Sequence, residues 1–341
     1  MRLGDGRVVP ALAYGDLTGD PLPGETVLLN TTALERGLGT GGLALVVALP
    51  DRSDDALPAG PGGRPGHVVK ARYTPLQTMV LGVDEQESPH HSLLCDADDL
   101  AGLPVVVADL HSALPAVVVG VHQERPGARV AYVMTDGGAL PAAFSTTVAT
   151  LRRTGALAAC LTVGQAYGGD HEAVTVHSAL LAARLVVGAD LVVVAQGPGN
   201  LGTGTRWGFS GVVAGEAVNA AGTLGGRPVA SLRVSQADPR ARHRGVSHHS
   251  LTAYGRVALV PADVPVPRLR GEVGTLVSAQ VDGLVEQTGG RLVRHDVEVD
   301  DLEPALRKSS VPLRTMGRSY DDDPASFLAA AAAGRHAASL L

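Results

Sequence analysis

The chain of 341 residues carries a formal net charge of −6 with 18% charged residues, a balance that excludes a general binder of nucleic acid or anionic membrane. It is long enough to bury a full core and to hold more than one structural unit, and its two cysteines, Cys95 and Cys160, with no CxxC pair, read as free thiols rather than a disulfide scaffold. The N-terminus MRLGDGRVVP lacks the apolar core of a signal peptide, and the longest apolar region, 180–195, is interrupted by Arg184 and Asp190, so the expectation is a cytoplasmic protein with no membrane partner.

In chain order, residues 1–75 alternate short strand patterns with turn-rich pieces. Strands are expected over 7–14, 26–30, 43–49 and 67–73, separated by GDLTGDPLPGE and ERGLGTGG. That spacing predicts a small all-β, barrel-like domain. Residues 51–66, rich in Asp, Pro and Gly, read as a loop or flexible linker. Residues 76–102 form a connecting segment with a strand near 78–83, an acidic patch at Asp96, Asp98 and Asp99, and His90-His91, read as surface residues.

From residue 103 to 261 the pattern changes to alternating strands and helices. Apolar runs at 103–108, 129–134, 158–163, 191–195 and 229–234 alternate with helical segments at 112–123, 141–153, 171–187 and 209–224, and 257–260 reads as a sixth strand. This predicts an α/β domain with a parallel sheet and helices on both faces, Rossmann-like in layout. Residues 262–341 read as an α+β extension packing on that domain. Within it, helices are expected over 271–287 and 302–308, a strand over 291–299, and an Ala-rich helix opened by Asp323 as N-cap and Pro324 at the first position.

In such sheets ligands bind beyond the carboxyl ends of the strands, and the polar residues of this chain collect there. The loops after the strands read DLHS, TDGG, GQAYGGDHE, a Gly-rich tract and SQADPRARHRGVSHH, whereas the opposite helix–strand turns are ordinary. The Gly-rich tract contains a literal G-x-G-x-x-G at Gly197, Gly199 and Gly202. It follows the fourth strand, however, and no acidic residue ends the next strand, so NAD is not expected. It lacks the Lys-Ser/Thr of a phosphate-binding Walker loop as well. A generic anion nest is the better reading, with Asn200, Thr203, Thr205 and backbone N–H groups as donors. The competing reading is a tight connection whose glycines serve packing. Trp207 and Phe209 either stack on a ligand ring or fill the gap beneath a helix start.

The loop after the fifth strand concentrates Arg240, Arg242 and Arg244, with Arg233 just before, in an acidic protein. Arg240 and Arg244 are taken as anion ligands because the guanidinium fork suits phosphate or carboxylate; the alternative is a solvated charged loop. His243, His248 and His249 could ligate a divalent metal with Asp170, although adjacent His248 and His249 would diverge by about 100° on a helix, so that one of them faces a given ion. Asp136, His171 and His243 are the candidates for acid–base catalysis. Against these stand plain structural roles: Asp136 as a turn former, Asp170 and Glu172 as helix-capping residues.

The tracts VGQAYGGDHEAVTVHSALLAAR, AQGPGNLGTGTRWGFSGVVAGEAVNAAGTLGG and ADPRARHRGVSHHSLTAYG resemble a bacterial family, mostly from Gram-positive organisms, of unknown function. The resemblance covers most of the chain and implies no activity and no catalytic residues. The residues themselves favour a hydrolase or transferase acting on a small phosphorylated or anionic metabolite. Two alternatives are a metal-dependent hydrolase built on His243–His249 and a non-enzymatic metabolite-sensing or regulatory protein. A small anionic ligand is the expected partner, nucleic acid is not, and a homo-oligomer is compatible with the sequence.

Overall fold

The computed structural model describes residues 1–37, 41–52 and 65–341. Most of the linker expected over 51–66, and the centre of the ERGLGTGG turn, lie outside the described residues. The chain divides into two compact units, Met1–Leu81 and Gly82–Leu341.

In the first unit the strands β1 (Ala11–Leu12), β2 (Leu28–Asn30) and β3 (Ala44–Ala48) form one sheet in the order β1-β3-β2. β1 runs parallel to β3 and β2 antiparallel to it. β4 (Val68–Lys70) and β5 (Thr78–Val80) make a separate antiparallel pair. One-turn helices at Gly15–Thr18 and Thr32–Glu35 interrupt the strands. The described residues therefore form a mixed sheet and a ribbon with helical turns, not the all-β barrel that the strand spacing suggests.

The second unit is built on eight parallel strands: β6 (Pro104–Val107), β7 (Val130–Thr135), β8 (Ala159–Thr162), β9 (His171–Glu172), β10 (Leu191–Gln196), β11 (Arg227–Ala230), and, after a small hairpin of β12 (Val234–Ser235) and β13 (Gly245–Val246), β14 (Ala262–Pro267) and β15 (Leu292–Val297). Their spatial order is β15-β14-β11-β6-β10-β7-β8-β9. The central strands are buried at every position, as a parallel sheet covered on both faces requires. Alternate residues feed two cores. Val105, Val107, Val192 and Val194 pack under the helices Val176–Leu185, Val213–Thr223 and Gly271–Gln287. Val106, Ala108, Val193 and Ala195 pack under Leu114–Glu124, Thr146–Arg153 and Pro324–Ser339.

Residues 262–341 are not an appendage to this sheet. β14 and β15 extend it at one edge, and the last helix covers its face. The strand expected over 257–260 forms instead at Ala262–Pro267, since 253–257 is a π-helical turn. Pro265 and Pro267 hide that strand in the sequence. They are tolerated because β11 ends at Ala230, level with the start of β14, leaving a single strand neighbour, β15, where the prolines stand.

A second difference concerns 171–187. His171 and Glu172 form the edge strand β9 against Leu161 and Thr162, and the helix begins only at Val176. Its N-cap is Thr175, which closes a capping box with Ser178. Asp170 instead accepts the Cys160 backbone N–H at 2.8 Å and pairs with Arg152 at 2.6 Å.

The connection from β6 runs toward β7 and β8, and that from β10 toward β11 and β14, while β6 and β10 are neighbours. Such a reversal opens a crevice at the carboxyl ends of the two strands.

Candidate functional site

Asp109 and Gln196 occupy that crevice. Asp109 is 3% exposed, and its Oδ2 has no hydrogen-bond partner. Gln196 donates from Nε2 to the Asp109 carbonyl at 2.8 Å and to Asn200 Oδ1 at 3.1 Å, leaving its own Oε1 unpartnered. Buried polar atoms without partners are uncommon and mark places where water or a ligand supplies the missing bond.

The β12–β13 hairpin folds the Arg/His segment over this edge. Ser247 N donates to the Arg233 carbonyl at 2.8 Å, and Arg233 N to Ser250 Oγ at 2.9 Å. Arg233 is thereby held with Nη1 3.1 Å from His249 Nδ1 and 3.8 Å from Asp109 Oδ2. The guanidinium donates to Nδ1, which assigns the proton of neutral His249 to Nε2. Ser247 caps the short helix His248–Thr252, accepting from His249 N at 3.2 Å, and its hydroxyl lies 2.8 Å from His243 Nδ1. This cap makes the three imidazoles converge, with ring centroids 4.4–5.0 Å apart and one nitrogen of each within 4.8 Å of the others. The divergence expected of His248 and His249 is not observed. Burial is the main cause that lowers the pKa of His243 to about 3 and of His248 to about 4, with the neighbouring cations adding to it. Both are neutral at pH 7, and His248 Nε2 is buried without a partner.

These imidazoles, Arg233, Arg240 and Arg242 line an open pocket of about 150 Å³ together with Asn200, Gly202, Gly204 and Met316. The Gly-rich tract forms its other wall as a hairpin. Gly202 bridges Phe209, and Thr203 N donates to the Gly208 carbonyl at 2.7 Å. Thr203 and Thr205 tie this loop internally through their hydroxyls, 3.0 Å apart, and through Gly208. Gly197 has a packing role, because a Cβ there would strike the Ala139 carbonyl. Gly199 adopts φ +93°, open to glycine and strained for other residues. Phe209 fills the space beneath and stacks on His249, while Trp207 is 56% exposed at the loop.

Of the other expected residues, Arg240 lines the pocket and the rest lie elsewhere. Arg240 is held by Asp238 through two hydrogen bonds of 2.8–2.9 Å, an ion pair that lowers the Asp238 pKa. Arg244 is exposed and does not line the pocket. Asp136, exposed after β7, accepts from Gln165 N at 2.8 Å and fastens two loops. Asp170 and His171 belong to the far edge, β9 standing five strands from β11, roughly 24 Å at the usual strand spacing. Asp170 therefore cannot complete a metal shell with His243–His249, and His171, whose ring meets His90 at 5.9 Å, cannot act with His243.

Asp109, Gln196 and Met316 are the residues that motif reading does not single out. The first two are the polar residues ending the central strands. Met316 arrives on a distant hairpin of β16 (Arg314–Thr315) and β17 (Arg318–Ser319).

A doubly wound parallel α/β sheet with a cationic, histidine-lined pocket on its carboxyl edge defines the class of this protein. The chain belongs to the family described as protein of unknown function (DUF3866), whose model matches residues 10–334. Neither a curated protein nor a solved structure matches the chain. Among the described residues, no helix is long and apolar enough to cross a membrane.

Proposed function

We propose that the protein is an enzyme, a hydrolase or group transferase, acting on a small phosphorylated or similarly anionic metabolite bound between the Gly-rich hairpin and residues 238–249. The observation that carries this reading is Arg242. It lines the pocket with Nη2 3.7 Å from the position a Gly204 side chain would take, and it has no hydrogen bond or ion pair among the described residues. Arg242 is exposed on the pocket wall, and a guanidinium there without a carboxylate partner suits an anion. Arg233 and the Nε2–H of His249 add donors, and neutral His248, with Nε2 unpartnered, is placed to move a proton.

A metal-dependent hydrolase is the second reading, favoured by the 4.8 Å convergence of His243, His248 and His249. Two features weigh against it. Arg233 already occupies His249 Nδ1, and the surrounding arginines repel a cation.

The test is thermal shift and turnover with inorganic phosphate, a nucleoside monophosphate, a sugar phosphate, zinc and magnesium. A phosphorylated compound should raise the melting temperature of the wild type and of Arg244→Ala, but much less that of Arg242→Ala. Turnover of a phosphate ester should be lost in His248→Gln. Binding without turnover across the panel would make the protein a sensor rather than an enzyme. No shift with any anion would overturn the anion reading.

A further inference from the structure

A second set of side chains able to ligate a metal lies at the β15 edge of the sheet and does not depend on the pocket above. Asp263 is on β14, His295 on β15 and His336 on the last helix. β14 and β15 are in register with Asp263 opposite Val293, so His295, two residues on, shares its face. The Pro324–Ser339 helix packs against β14 and brings His336 to the same carboxylate. His295 Nε2 lies 3.1 Å from Asp263 Oδ1, and His336 Nε2 lies 2.9 Å from Asp263 Oδ2. The imidazoles stack with centroids 4.4 Å apart, and one donor atom from each residue falls within 4.8 Å of the others.

We propose that Asp263, His295 and His336 form a binding site for a divalent transition metal of the zinc class. Two imidazoles and one carboxylate are a donor set that zinc and its first-row neighbours accept. Ligand bonds of about 2.0–2.1 Å in tetrahedral geometry put donor atoms roughly 3.3 Å apart. The two short nitrogen–oxygen contacts involve different oxygens of Asp263, so donor atoms up to 4.8 Å apart must draw together by up to about 1.5 Å through rotation of the three side chains. The His295 side chain is 38% exposed and that of His336 10% exposed, so water has access to the remaining position on one side while the helix closes the other. One cation competes: Arg227 Nη2 stands 3.8 Å from Asp263 Oδ2, with half of its side chain exposed and free to swing outward. The metal would tie the edge strand β15, its neighbour β14 and the C-terminal helix together, a structural role separate from the carboxyl-edge pocket.

The test uses the full chain, stripped with a chelator and dialysed against zinc, with bound metal measured by elemental analysis and melting temperature read with and without zinc. Wild type is compared with His295→Gln and His336→Gln. Each variant should bind one zinc ion fewer than wild type and lose the part of the zinc-dependent rise in melting temperature that this site supplies. Cobalt provides an independent readout, since its tetrahedral visible absorption should weaken in the same variants. His295 is the most exposed of the three, so His295→Gln keeps the test decisive if His336→Gln fails to fold. A stoichiometry in His295→Gln equal to that of wild type would overturn the proposal, as would absence of zinc from the wild type. Failure of the anion reading leaves this site untouched, and the reverse holds too.

Discussion

Phe209 and His249 lie face to face, with ring centroids 3.8 Å apart and planes within 4° of parallel. One residue ends the Gly-rich hairpin and the other belongs to the Arg/His segment, so this stack is the joint between the two walls of the pocket. Phe209 is buried and also approaches His248 at 6.2 Å. Phe209→Ala should cost about 3–5 kcal/mol by loss of buried surface and creation of a cavity. It should also free the His249 ring, broadening or shifting its imidazole resonances. Urea denaturation and histidine NMR of the variant check both. A loss below about 1 kcal/mol with unchanged His249 resonances would mean that the two walls are held by something else.

Acid should destabilise the protein well above the ordinary carboxylate range. His111 is enclosed between Tyr132 and Ser145, its ring nitrogens 3.0 and 2.7 Å from their hydroxyls, and burial pushes its pKa down to about 4. His243 and His248 are lowered for the same main reason. In each case the unfolded chain binds a proton that the folded one refuses. Stability is therefore complete above the ordinary histidine value near 6.5 and falls as pH drops toward about 4. Each such group contributes a slope of up to about 1.4 kcal/mol per pH unit. Denaturant titrations between pH 7 and 4 should show this decline, and it should be shallower in His111→Gln. An unchanged slope in that variant would remove His111 from the account.

How far the sequence reveals this molecule depends on the kind of residue. β6, β7, β8 and β10 are recognisable to within a residue or two because buried parallel strands read as short, nearly continuous apolar runs. β14 is disguised by Pro265 and Pro267, and β9 is two residues long with the polar composition of a helix cap. The carboxyl-edge rule locates the two segments that line the pocket, but not which of their side chains face it. Arg240 and Arg242 look equivalent in sequence. Asp238, itself buried and shared with Arg318, engages the first and leaves the second. His171 shows the same limit, since only the strand order separates it from His243.

Asp323 is the clearest case of a helix-cap residue put to another use. Its side chain makes no capping hydrogen bond to the helix it precedes. Fully buried, it accepts from Ser235 Oγ at 2.5 Å, Gln236 N at 2.9 Å and Arg318 Nε at 3.0 Å. The carboxylate thus fixes the loop after β12 to the hairpin that carries Met316 into the pocket. Asp323→Ala would leave Arg318 with half its partners and the buried Ser235 hydroxyl and the Gln236 N–H without their acceptor, a loss of about 3–5 kcal/mol. Asp323→Asn, which keeps the shape but not the charge, should cost less. Both are measurable by chemical denaturation. Equal stability of wild type and Asp323→Ala would show that the network is dispensable.

The last helix approaches its neighbour through two glycines. A Cβ at Gly120 would collide with the Ala331 carbonyl, and one at Gly334 with the Val117 carbonyl. The pair is reciprocal, each glycine receiving the backbone of the opposite helix, and Ala330, Ala331 and Ala333 extend the close approach. Because the obstruction is backbone rather than a mobile side chain, neither substitution can be absorbed by a rotamer change. Gly120→Ala and Gly334→Ala should each destabilise by about 1–3 kcal/mol, despite alanine's higher helix propensity. Both force apart the same two helices, so the first should relieve part of the strain of the second. The double variant should lose less than the sum of the single losses. Denaturation of the three variants decides the point: strict additivity would mean that the two collisions are relieved independently, and a gain in either single variant would show that the helices are not in this close contact.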